Sequence, residues 1–232
     1  MKKSTLFTLL SAFVLIPAVL LLGKQLPGRW YYLTATVVII LILIPFSLAF
    51  EGRKPQAREL VLVAVMCALA VVSRAIFVLL PNFKPIYGVI IISGIAFGAQ
   101  AGFLVGAVSA FASNFLFGQG PWTPWQMLAY GISGLIAGLC YYRKNKLPRD
   151  PLSLGLFGFV TVLFAVCPLL DTSTVLTTLT VFTPTAILGI YTTAILTNLI
   201  QAGCTLLTLL ILGKPVLKIL ERIITKYGLY NY

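Results

Sequence analysis

Long apolar runs, separated by short polar or turn-forming segments, make up most of this chain. A run of about 20 apolar residues can cross the hydrocarbon core of a bilayer as one helix, so the pattern predicts membrane-spanning helices. The first two predicted spans cover about residues 5–23 and 30–50, and a polar segment follows at 51–59. The start of the chain is basic, as in a secretory signal, but no small-x-small cleavage site follows, so we predict a retained helix.

Six further spans are predicted after this segment. They cover approximately residues 60–80, 86–98, 101–117, 125–142, 152–170 and 186–212. The apolar stretch 86–117 is too long for one crossing, so we place a helical hairpin at Gly98–Gly102. Residues Asp171–Thr185 are rich in Thr and Ser and contain Pro184, which predicts a loop or a partly embedded segment. The tail from Lys214 to Tyr232 has its apolar residues near one helical face and predicts an interfacial amphipathic helix.

The composition agrees with a membrane protein and excludes several other classes. The chain has 232 residues, of which 59% are hydrophobic and 9% charged, whereas a soluble domain has roughly 25% charged residues. The net charge is +12, but a nucleic-acid binder carries its basic surface on a polar domain. There are 5 Asp and Glu, no His, and 4 widely spaced Cys, which we expect to be buried free thiols. No catalytic or metal-binding constellation is visible, so we predict a protein that is not an enzyme and binds no metal.

The basic residues are distributed unevenly between the two predicted sides. With both termini in the cytoplasm, the outer segments hold only Lys24, Arg29 and Lys84, and Arg74 lies within a span. The cytoplasmic segments hold all the other basic residues, namely Lys2, Lys3, Arg53, Lys54, Arg58, Arg143, Lys144, Lys146, Arg149, Lys214, Lys218, Arg222 and Lys226. This positive-inside bias predicts an all-α, polytopic helix bundle with both termini cytoplasmic. We expect it in a bacterial cytoplasmic membrane as a multi-pass protein.

Glycines and alanines at four-residue spacing predict close helix contacts. Small residues four apart let helices approach each other in lipid, and such series occur at Gly94, Gly98, Gly102 and Gly106 and at Gly134 and Gly138. A similar pair, Ala64 and Ala68, lies on the cytoplasmic half of the first span after the polar segment. The glycine series is expected to pack the bundle internally, and the alanine pair creates a smooth strip on which another helix can dock.

Two features suggest a site at the outer side. The stretch Asn114–Met127 combines Gly and Pro with aromatic rings and uncharged polar groups, a mixture that suits a site for a large, mostly neutral organic ligand. The alternative is an interfacial loop with aromatic anchors. Arg74 is an intramembrane charge, which is costly and usually faces a cavity, a partner or the interface. It either extends to the outer headgroups or finds a partner, for which the outer carboxylate Asp171 is a candidate.

Taken together, these features resemble the substrate-binding S components of energy-coupling factor (ECF) vitamin transporters. The resemblance covers about residues 60–212. The Ala64-x-x-x-Ala68 motif, the short Gly-rich second core span, the outer loop between the third and fourth core spans and the long sixth span with a basic tail carry the resemblance. It implies three parts: two additional transmembrane helices at 1–50, a six-helix S-component core at 51–213 and a basic amphipathic cytoplasmic tail at 214–232. The additional helices depart from the minimal six-span pattern.

The resemblance also implies a function. An S component captures a vitamin on the outer face and delivers it together with a transmembrane coupling protein and two cytoplasmic ATPases, so that ATP is used by the partners and the chain needs no cofactor of its own. Ala64 and Ala68 would then contact the coupling protein. The ligand would lie among the loops Pro81–Tyr87, Asn114–Gln126 and Asp171–Pro184. The implied ligand-binding residues are Asn82, Phe83, Lys84, Tyr87, Asn114, Phe117, Gln119, Trp122, Thr123, Trp125, Gln126 and Asp171.

The sequence leaves the identity of the ligand open. The sequence Gly-Pro-Trp-Thr-Pro-Trp-Gln at 120–126 is most similar to the cobalamin-specific branch of the family, which favours cobalamin. Riboflavin, a queuosine precursor and pantothenate are the alternatives within the family. Outside it, the alternatives are a stand-alone membrane transporter and a membrane enzyme acting on lipid. The expected surroundings are the partner subunits and the lipid bilayer, with no nucleic acid.

Overall fold

The computed structural model describes residues 3–23, isolated helical residues between 33 and 44, and residues 57–142, 150–179 and 181–229. All regular structure in these residues is helical. The second predicted span, at 30–50, and the predicted polar loops at 51–59 and 143–151 lie largely outside the described residues. We keep the predicted orientation and call the end of the bundle that carries the loops 77–85 and 118–122 the outer end.

Seven helices can be followed in the described residues. The N-terminal helix, α1, comprises Lys3–Leu10, a π-helical turn at Ser11–Leu15, and Ile16–Gly23. The core helices are α2 (Ala57–Ile76), α3 (Ile86–Phe97), α4 (Ala99–Phe117), α5 (Thr123–Tyr141), α6 (Pro151–Thr178) and α7 (Pro184–Tyr227). The predicted six-helix core and the predicted hairpin near Gly98 are therefore both present.

Length and composition suit the core helices to a membrane. Among the described helices, four are long and apolar enough to cross a bilayer, namely α2, α4, α6 and α7, and α3 is a shorter apolar helix. These features confirm the predicted all-α polytopic membrane bundle. Helix α7 has 44 residues and is roughly 65 Å long at 1.5 Å per residue, about twice the thickness of the hydrocarbon core. Its last part, Lys214–Tyr227, therefore extends beyond the bilayer.

The C-terminal part of α7 is the amphipathic helix that the sequence predicts. Leu217 and Leu220 are buried and this part of α7 contacts α3, whereas the basic residues along the opposite side are exposed. The helix ends at Gly228, which adopts a left-handed conformation. Tyr227, at the end of the helix, lies under the guanidinium of Arg58 at 4.6 Å from the ring centroid. The tail thus packs against the cytoplasmic ends of α2 and α3.

The centre of the bundle is α3, which packs against α2, α4, α5 and α7. It is apolar on all sides and all its residues except Val89 and Ala96 are buried, as expected for a helix surrounded by others. A Cβ added to Gly94 would meet the backbone of Gly134, and one added to Gly134 would meet the backbone of Gly102. The predicted close packing through glycines is therefore confirmed, and it holds α3, α4 and α5 together.

The turn between α3 and α4 is a single residue. Gly98 has φ 96°, a backbone conformation that residues with a Cβ rarely adopt. It ends α3 and immediately begins α4, so the hairpin that the sequence predicts over five residues is tighter than expected. Two apolar helices can therefore be joined here without a polar loop.

Three helices contain a π-helical turn, and each turn precedes a proline by the same distance. The turns at Ser11–Leu15, Val162–Val166 and Leu209–Gly213 are followed by Pro17, Pro168 and Pro215 at the second position after the turn. A proline cannot donate to the carbonyl four residues earlier and its ring clashes with that carbonyl. The widened turn absorbs this clash, so α1, α6 and α7 continue through their prolines.

The sequence predicts a loop or a partly embedded segment at Asp171–Thr185, and the loop interpretation is wrong for most of that segment. Helix α6 continues to Thr178, and only residues 179–183 separate it from α7. The Thr hydroxyls that suggested a loop bond back into the helix instead, as Thr172 does to the carbonyl of Pro168 at 2.7 Å and Thr177 does to that of Ser173 at 2.7 Å. Such i−4 bonds satisfy the hydroxyls in an apolar environment.

The loop after α4 is also shorter than the sequence suggests. Asn114 and Phe117 belong to the last turn of α4, Thr123 begins α5, and residues 118–122 form the connection. Asp171 likewise lies inside a helix, α6. Several polar candidates for the site are therefore held on rigid helix ends.

Candidate functional site

A polar cavity of about 350 Å³ opens at the outer end of the bundle. Its walls come from the segment before α3, the start of α5, the second half of α6 and the outer half of α7. The lining residues are Lys84, Trp122, Gln126, Leu170, Asp171, Ser173, Thr174, Ile190, Thr193, Ala194, Thr197, Asn198 and Gln201. Most are uncharged hydrogen-bonding residues, and one aromatic ring, that of Trp122, lies among them.

The wall formed by α6 and α7 contains two amides whose orientation is set by neighbours. Asn198 donates from Nδ2 to the Oδ2 atom of Asp171 at 2.7 Å. Gln201 accepts at Oε1 a hydrogen bond from the hydroxyl of the buried Tyr87 at 2.9 Å. Tyr87 in turn packs edge-on against Tyr130, with ring centroids 4.8 Å apart. The central helix α3 therefore supports the cavity from behind, through Tyr87.

The wall formed by α5 is connected to α2 through buried polar groups. Arg74 donates from Nη1 to Ser113 at 2.6 Å and to the Oδ1 atom of Asn114 at 3.0 Å. Asn114 donates from Nδ2 to Gln126 Oε1 at 2.8 Å, and Gln126 lines the cavity. The guanidinium also lies 4.4 Å from the ring centroid of Phe117. Arg74 thus faces the protein interior, and its partners are neutral.

These contacts keep the intramembrane charge of Arg74 inside the bundle. Arg74 is 9% exposed, so it does not extend to the headgroups, and Asp171 is bonded to Asn198 instead. The positive charge is stabilised by hydroxyl and amide oxygens and by an aromatic face.

The loop between α4 and α5 is stabilised by its own side chains. Thr123 accepts hydrogen bonds from the Asn114 amide at 3.0 Å and from the Gly120 backbone N–H at 3.2 Å. It donates to Gln119 Oε1 at 2.9 Å, and Gln119 donates to the Phe111 carbonyl at 3.1 Å. Both polar atoms of the Gln119 amide are thereby hydrogen-bonded, one to Thr123 and one to α4. These bonds fix the backbone conformation of residues 118–122.

The structure brings some of the predicted ligand-binding residues to the cavity and places others behind it. Lys84, Trp122, Gln126 and Asp171 line it. The following predicted residues do not line it: Tyr87, Asn114, Phe117, Gln119, Thr123 and Trp125. Tyr87 and Asn114 are hydrogen-bonded to the lining residues Gln201 and Gln126. Asn82 has φ 60° in the turn before α3, and Phe83 packs on Phe77 at 5.1 Å. The ligand roles of these residues stay predictions.

Several lining residues are not among those predicted from the sequence. They are Ser173, Thr174, Thr193, Thr197, Asn198 and Gln201. Asn198 and Gln201 are amides one helical turn apart inside an apolar run, and polar residues within a membrane span mark functional positions. That signal was present in the sequence. The Thr and Ser residues carried no comparable signal, because their hydroxyls can always bond to their own helix.

A second feature is the exposed side of α2. Ala64 and Ala68 are both exposed and lie on one strip with Val61, Val65 and Val72. Helix α2 buries its opposite side, including Met66 and Ala70, against α3 and α4. The strip is smooth and apolar, and no described helix covers it. The predicted contact of Ala64 and Ala68 with a coupling protein stays a prediction.

Groups suited to metal binding are absent from the described part of the chain: no cluster of three or more His, Cys, Asp or Glu residues occurs there. The four cysteines are free, and two of them, Cys167 and Cys204, are buried. The residues that line the cavity offer hydrogen-bond donors and acceptors, one ammonium group, one carboxyl group and one aromatic face. Such a lining can bind and orient an organic molecule.

These features define a membrane-embedded helix bundle with a polar cavity at one end. The sequence matches the family described as ECF-type riboflavin transporter, S component, over residues 54–221, and the chain belongs to this family. It is therefore an integral membrane protein. It is also 30% identical over 114 residues to a UPF0397 protein of Vibrio atlanticus (strain LGP32). That match covers 47% of this chain and 62% of the relative, and no solved structure matches.

Proposed function

We propose that this chain is the substrate-binding subunit of an ECF importer and that it captures a compact, neutral, heteroaromatic vitamin, riboflavin, at its outer end. The cavity lined by Trp122, Gln126, Asn198 and Gln201 is the observation that carries the proposal. The family that the chain matches is named for riboflavin transport. The proposed partners are a transmembrane coupling protein and two ATPases, which would use ATP to drive uptake.

The chemistry of the lining supports a ligand of this kind. Riboflavin combines a flat ring system, whose polar edge carries carbonyl oxygens beside an N–H, with a chain of hydroxyls. The Trp122 ring can stack on a flat ligand. The amides of Gln126, Asn198 and Gln201 suit the ring edge, and the hydroxyls of Thr193 and Thr197 suit a polyol. A cavity of about 350 Å³ falls at the small end of the range for organic ligands, about 300–1,000 Å³.

Cobalamin, which the resemblance of residues 120–126 favours, is the second candidate. The observation in its favour is that Trp122 is 43% exposed at the mouth of the cavity, where it can contact a ligand that extends outside. A corrinoid is several times larger than this cavity and most of it would remain uncovered. Ligands usually bury most of their surface in their site, so the volume favours riboflavin.

The exposed strip on α2 supports the proposed partner. A helix of the coupling protein can approach closely over Ala64 and Ala68, since small residues permit contact between helix backbones in lipid. The strip runs along the same helix whose outer end carries Arg74. The docking strip on α2 is therefore separate from the cavity lining and is connected to it only through the hydrogen bonds of Arg74 and Asn114.

A titration of the purified chain in lipid nanodiscs tests the ligand. Riboflavin fluorescence is expected to be quenched with one-site saturation, because its ring would stack on Trp122. Cobalamin and pantothenate are tested in parallel by calorimetry. Saturable binding of cobalamin with no quenching of riboflavin would reverse the order of the two candidates. Absence of binding to all three would contradict a vitamin-binding role.

A further inference from the structure

We propose that Arg74, which does not line the cavity, is a positioning residue that determines which hydrogen-bonding group Gln126 offers to the ligand. The inference rests on the proposed function for the ligand, but the relay itself lies within the chain. It connects Arg74 on α2, Asn114 on α4 and Gln126 on α5 by two hydrogen bonds. Each step follows from what the side chains can donate and accept.

The first step fixes the amide of Asn114. A guanidinium has only donors and does not lose its proton in proteins. The atom of Asn114 that faces Arg74 Nη1, at 3.0 Å, must therefore be the acceptor Oδ1. The Thr123 hydroxyl, whose hydrogen is donated to Gln119 Oε1, accepts from the same amide and favours the same orientation. The buried charge makes that orientation obligatory, because an inverted Asn114 would place its N–H group against a side chain that has no acceptor.

The second step fixes the amide of Gln126. With Oδ1 turned to Arg74, the Nδ2 atom of Asn114 donates to Gln126 Oε1 at 2.8 Å and to Thr123 Oγ1 at 3.0 Å. Both hydrogens of the Asn114 amide are then used. Gln126 accepts with its oxygen, so its Nε2 group is turned to the other side. In the described residues this group makes no hydrogen bond, and Gln126 lines the cavity.

The consequence is a defined chemical preference in the cavity. Gln126 offers an N–H donor, so the ligand should carry an acceptor there, such as a carbonyl oxygen or a ring nitrogen. On the facing wall, Asn198 uses its Nδ2 to bond Asp171, which leaves its Oδ1 as an acceptor for a ligand donor. A ring edge with a carbonyl beside an N–H satisfies both walls. Arg74 contributes to this specificity without touching the ligand.

The environment of Arg74 keeps the relay in place. A charge within a membrane span is costly unless it is bonded internally. Arg74 bonds Ser113 at 2.6 Å in addition to Asn114 and lies against the Phe117 ring. The guanidinium is therefore held on three sides, and Asn114 cannot invert its amide without breaking a bond to the charge.

Affinity measurements with four single variants test the relay. Gln126→Glu keeps an oxygen that accepts from Asn114 but removes the donor, and Arg74→Met removes the orienting charge. Each is expected to weaken riboflavin binding about tenfold, the upper range for one hydrogen bond between neutral groups. Arg74→Lys retains a donor-only cation and should recover most of the affinity. Arg58→Met, which removes an arginine from an aromatic face on the same helix, is the matched control and should bind as the wild type does.

The double variant Arg74→Met/Gln126→Glu distinguishes a relay from general loosening of the structure. Once Gln126→Glu has removed the donor, the orientation of the side chain at position 126 no longer affects the ligand. The double variant should therefore bind riboflavin no more weakly than whichever single variant has the lower affinity. Additive losses would overturn the inference. Thermal unfolding of the ligand-free variants is measured in parallel. If Arg74→Met does not purify as a folded protein, Arg74→Gln replaces it, since it keeps polarity and lacks the donor-only property.

A ligand-free measurement keeps this inference separate from the proposed function. In protein labelled with ¹⁵N-glutamine, the side-chain amide of Gln126 is identified by its loss in Gln126→Glu. Its resonance should shift in Arg74→Met and stay in place in Arg58→Met. An unchanged Gln126 resonance in Arg74→Met overturns the relay whether or not riboflavin binds. If the wild type binds no riboflavin while this resonance shifts, the proposed ligand fails and the relay stands.

Discussion

Two tryptophans three residues apart, Trp122 and Trp125, differ in what surrounds them. Trp122 is 43% exposed and lines the outer cavity, whereas Trp125 is 8% exposed and packs within the bundle. Trp122 ends the loop before α5 and Trp125 belongs to the first turn of that helix. Their close spacing in the sequence therefore does not give them the same role.

Replacing each tryptophan with alanine should separate binding from stability. Trp122→Ala removes the stacking surface and is expected to weaken riboflavin binding by about 1–3 kcal/mol, the range seen for stacking on aromatic side chains, with little change in melting temperature. Trp125→Ala leaves a cavity in the packed bundle and should destabilise it by about 3–5 kcal/mol. Ligand titration and thermal unfolding check the pair, and a stability loss confined to Trp122→Ala would contradict these assignments.

At the scale of helices, the contact of α3, α4 and α5 depends on the absence of side chains at a few positions. A Cβ at Gly134 would overlap the backbone of Gly102, and neither backbone can move without separating two central helices. Other glycines of the chain have open space around them, as Gly189 and Gly203 do on α7. The same residue type thus has different importance in different helices.

Gly134→Ala is expected to destabilise the bundle strongly, because the added methyl must push α4 and α5 apart. A loss of several kcal/mol is expected, above the 1–3 kcal/mol typical of overpacking, since the obstacle is backbone. Gly189→Ala and Gly203→Ala are matched controls that add the same methyl into free space. Thermal unfolding in one detergent compares the three variants. Equal melting temperatures for Gly134→Ala and the controls would show that the close contact between Gly102 and Gly134 does not determine the stability of the bundle.

For the whole molecule, the two proposed functional surfaces lie in different regions. The cavity lies at the outer end between α5, α6 and α7, whereas the strip with Ala64 and Ala68 faces away from the bundle on α2. Helix α2 does not line the cavity, and its Arg74 is connected to the lining residue Gln126 only through Asn114. Binding and assembly can therefore be impaired separately.

Ala64→Trp and Ala68→Trp are expected to block assembly with the coupling protein and to leave riboflavin affinity within about twofold of the wild type. A bulky ring prevents the close helix approach that small residues permit. Val160→Trp, at a lipid-facing position of α6, is the control for bulk in the membrane. Co-purification with the coupling protein and ATPases measures assembly. Normal co-purification of the Ala64 and Ala68 variants would exclude this strip as the docking surface.

The apolar runs and the uneven charges were sufficient to predict an all-helical membrane bundle and the hairpin at Gly98. These properties depend on the composition of each segment, because lipid requires every spanning segment to satisfy its own backbone hydrogen bonds. The four-residue spacing of Gly102 and Gly106 in α4 and of Gly134 and Gly138 in α5 similarly predicted close packing, since it places small residues on one face of each helix. The local mixture of aromatic and amide groups predicted a ligand site near Trp122 and Gln126; both residues line a cavity, and their ligand role stays a prediction.

Tertiary structure decided the properties that depend on neighbours distant in the sequence. The stretch from Asp171 to Thr178 is helical because its hydroxyls bond within α6 and its apolar side packs against α5. Whether Arg74 faced lipid or protein depended on Ser113 and Asn114, which are 39 and 40 residues away. The cavity wall of Asn198 and Gln201 exists only where α6 and α7 meet. The sequence by itself determined which segments enter the membrane, and the packing of those segments decided which polar groups face each other.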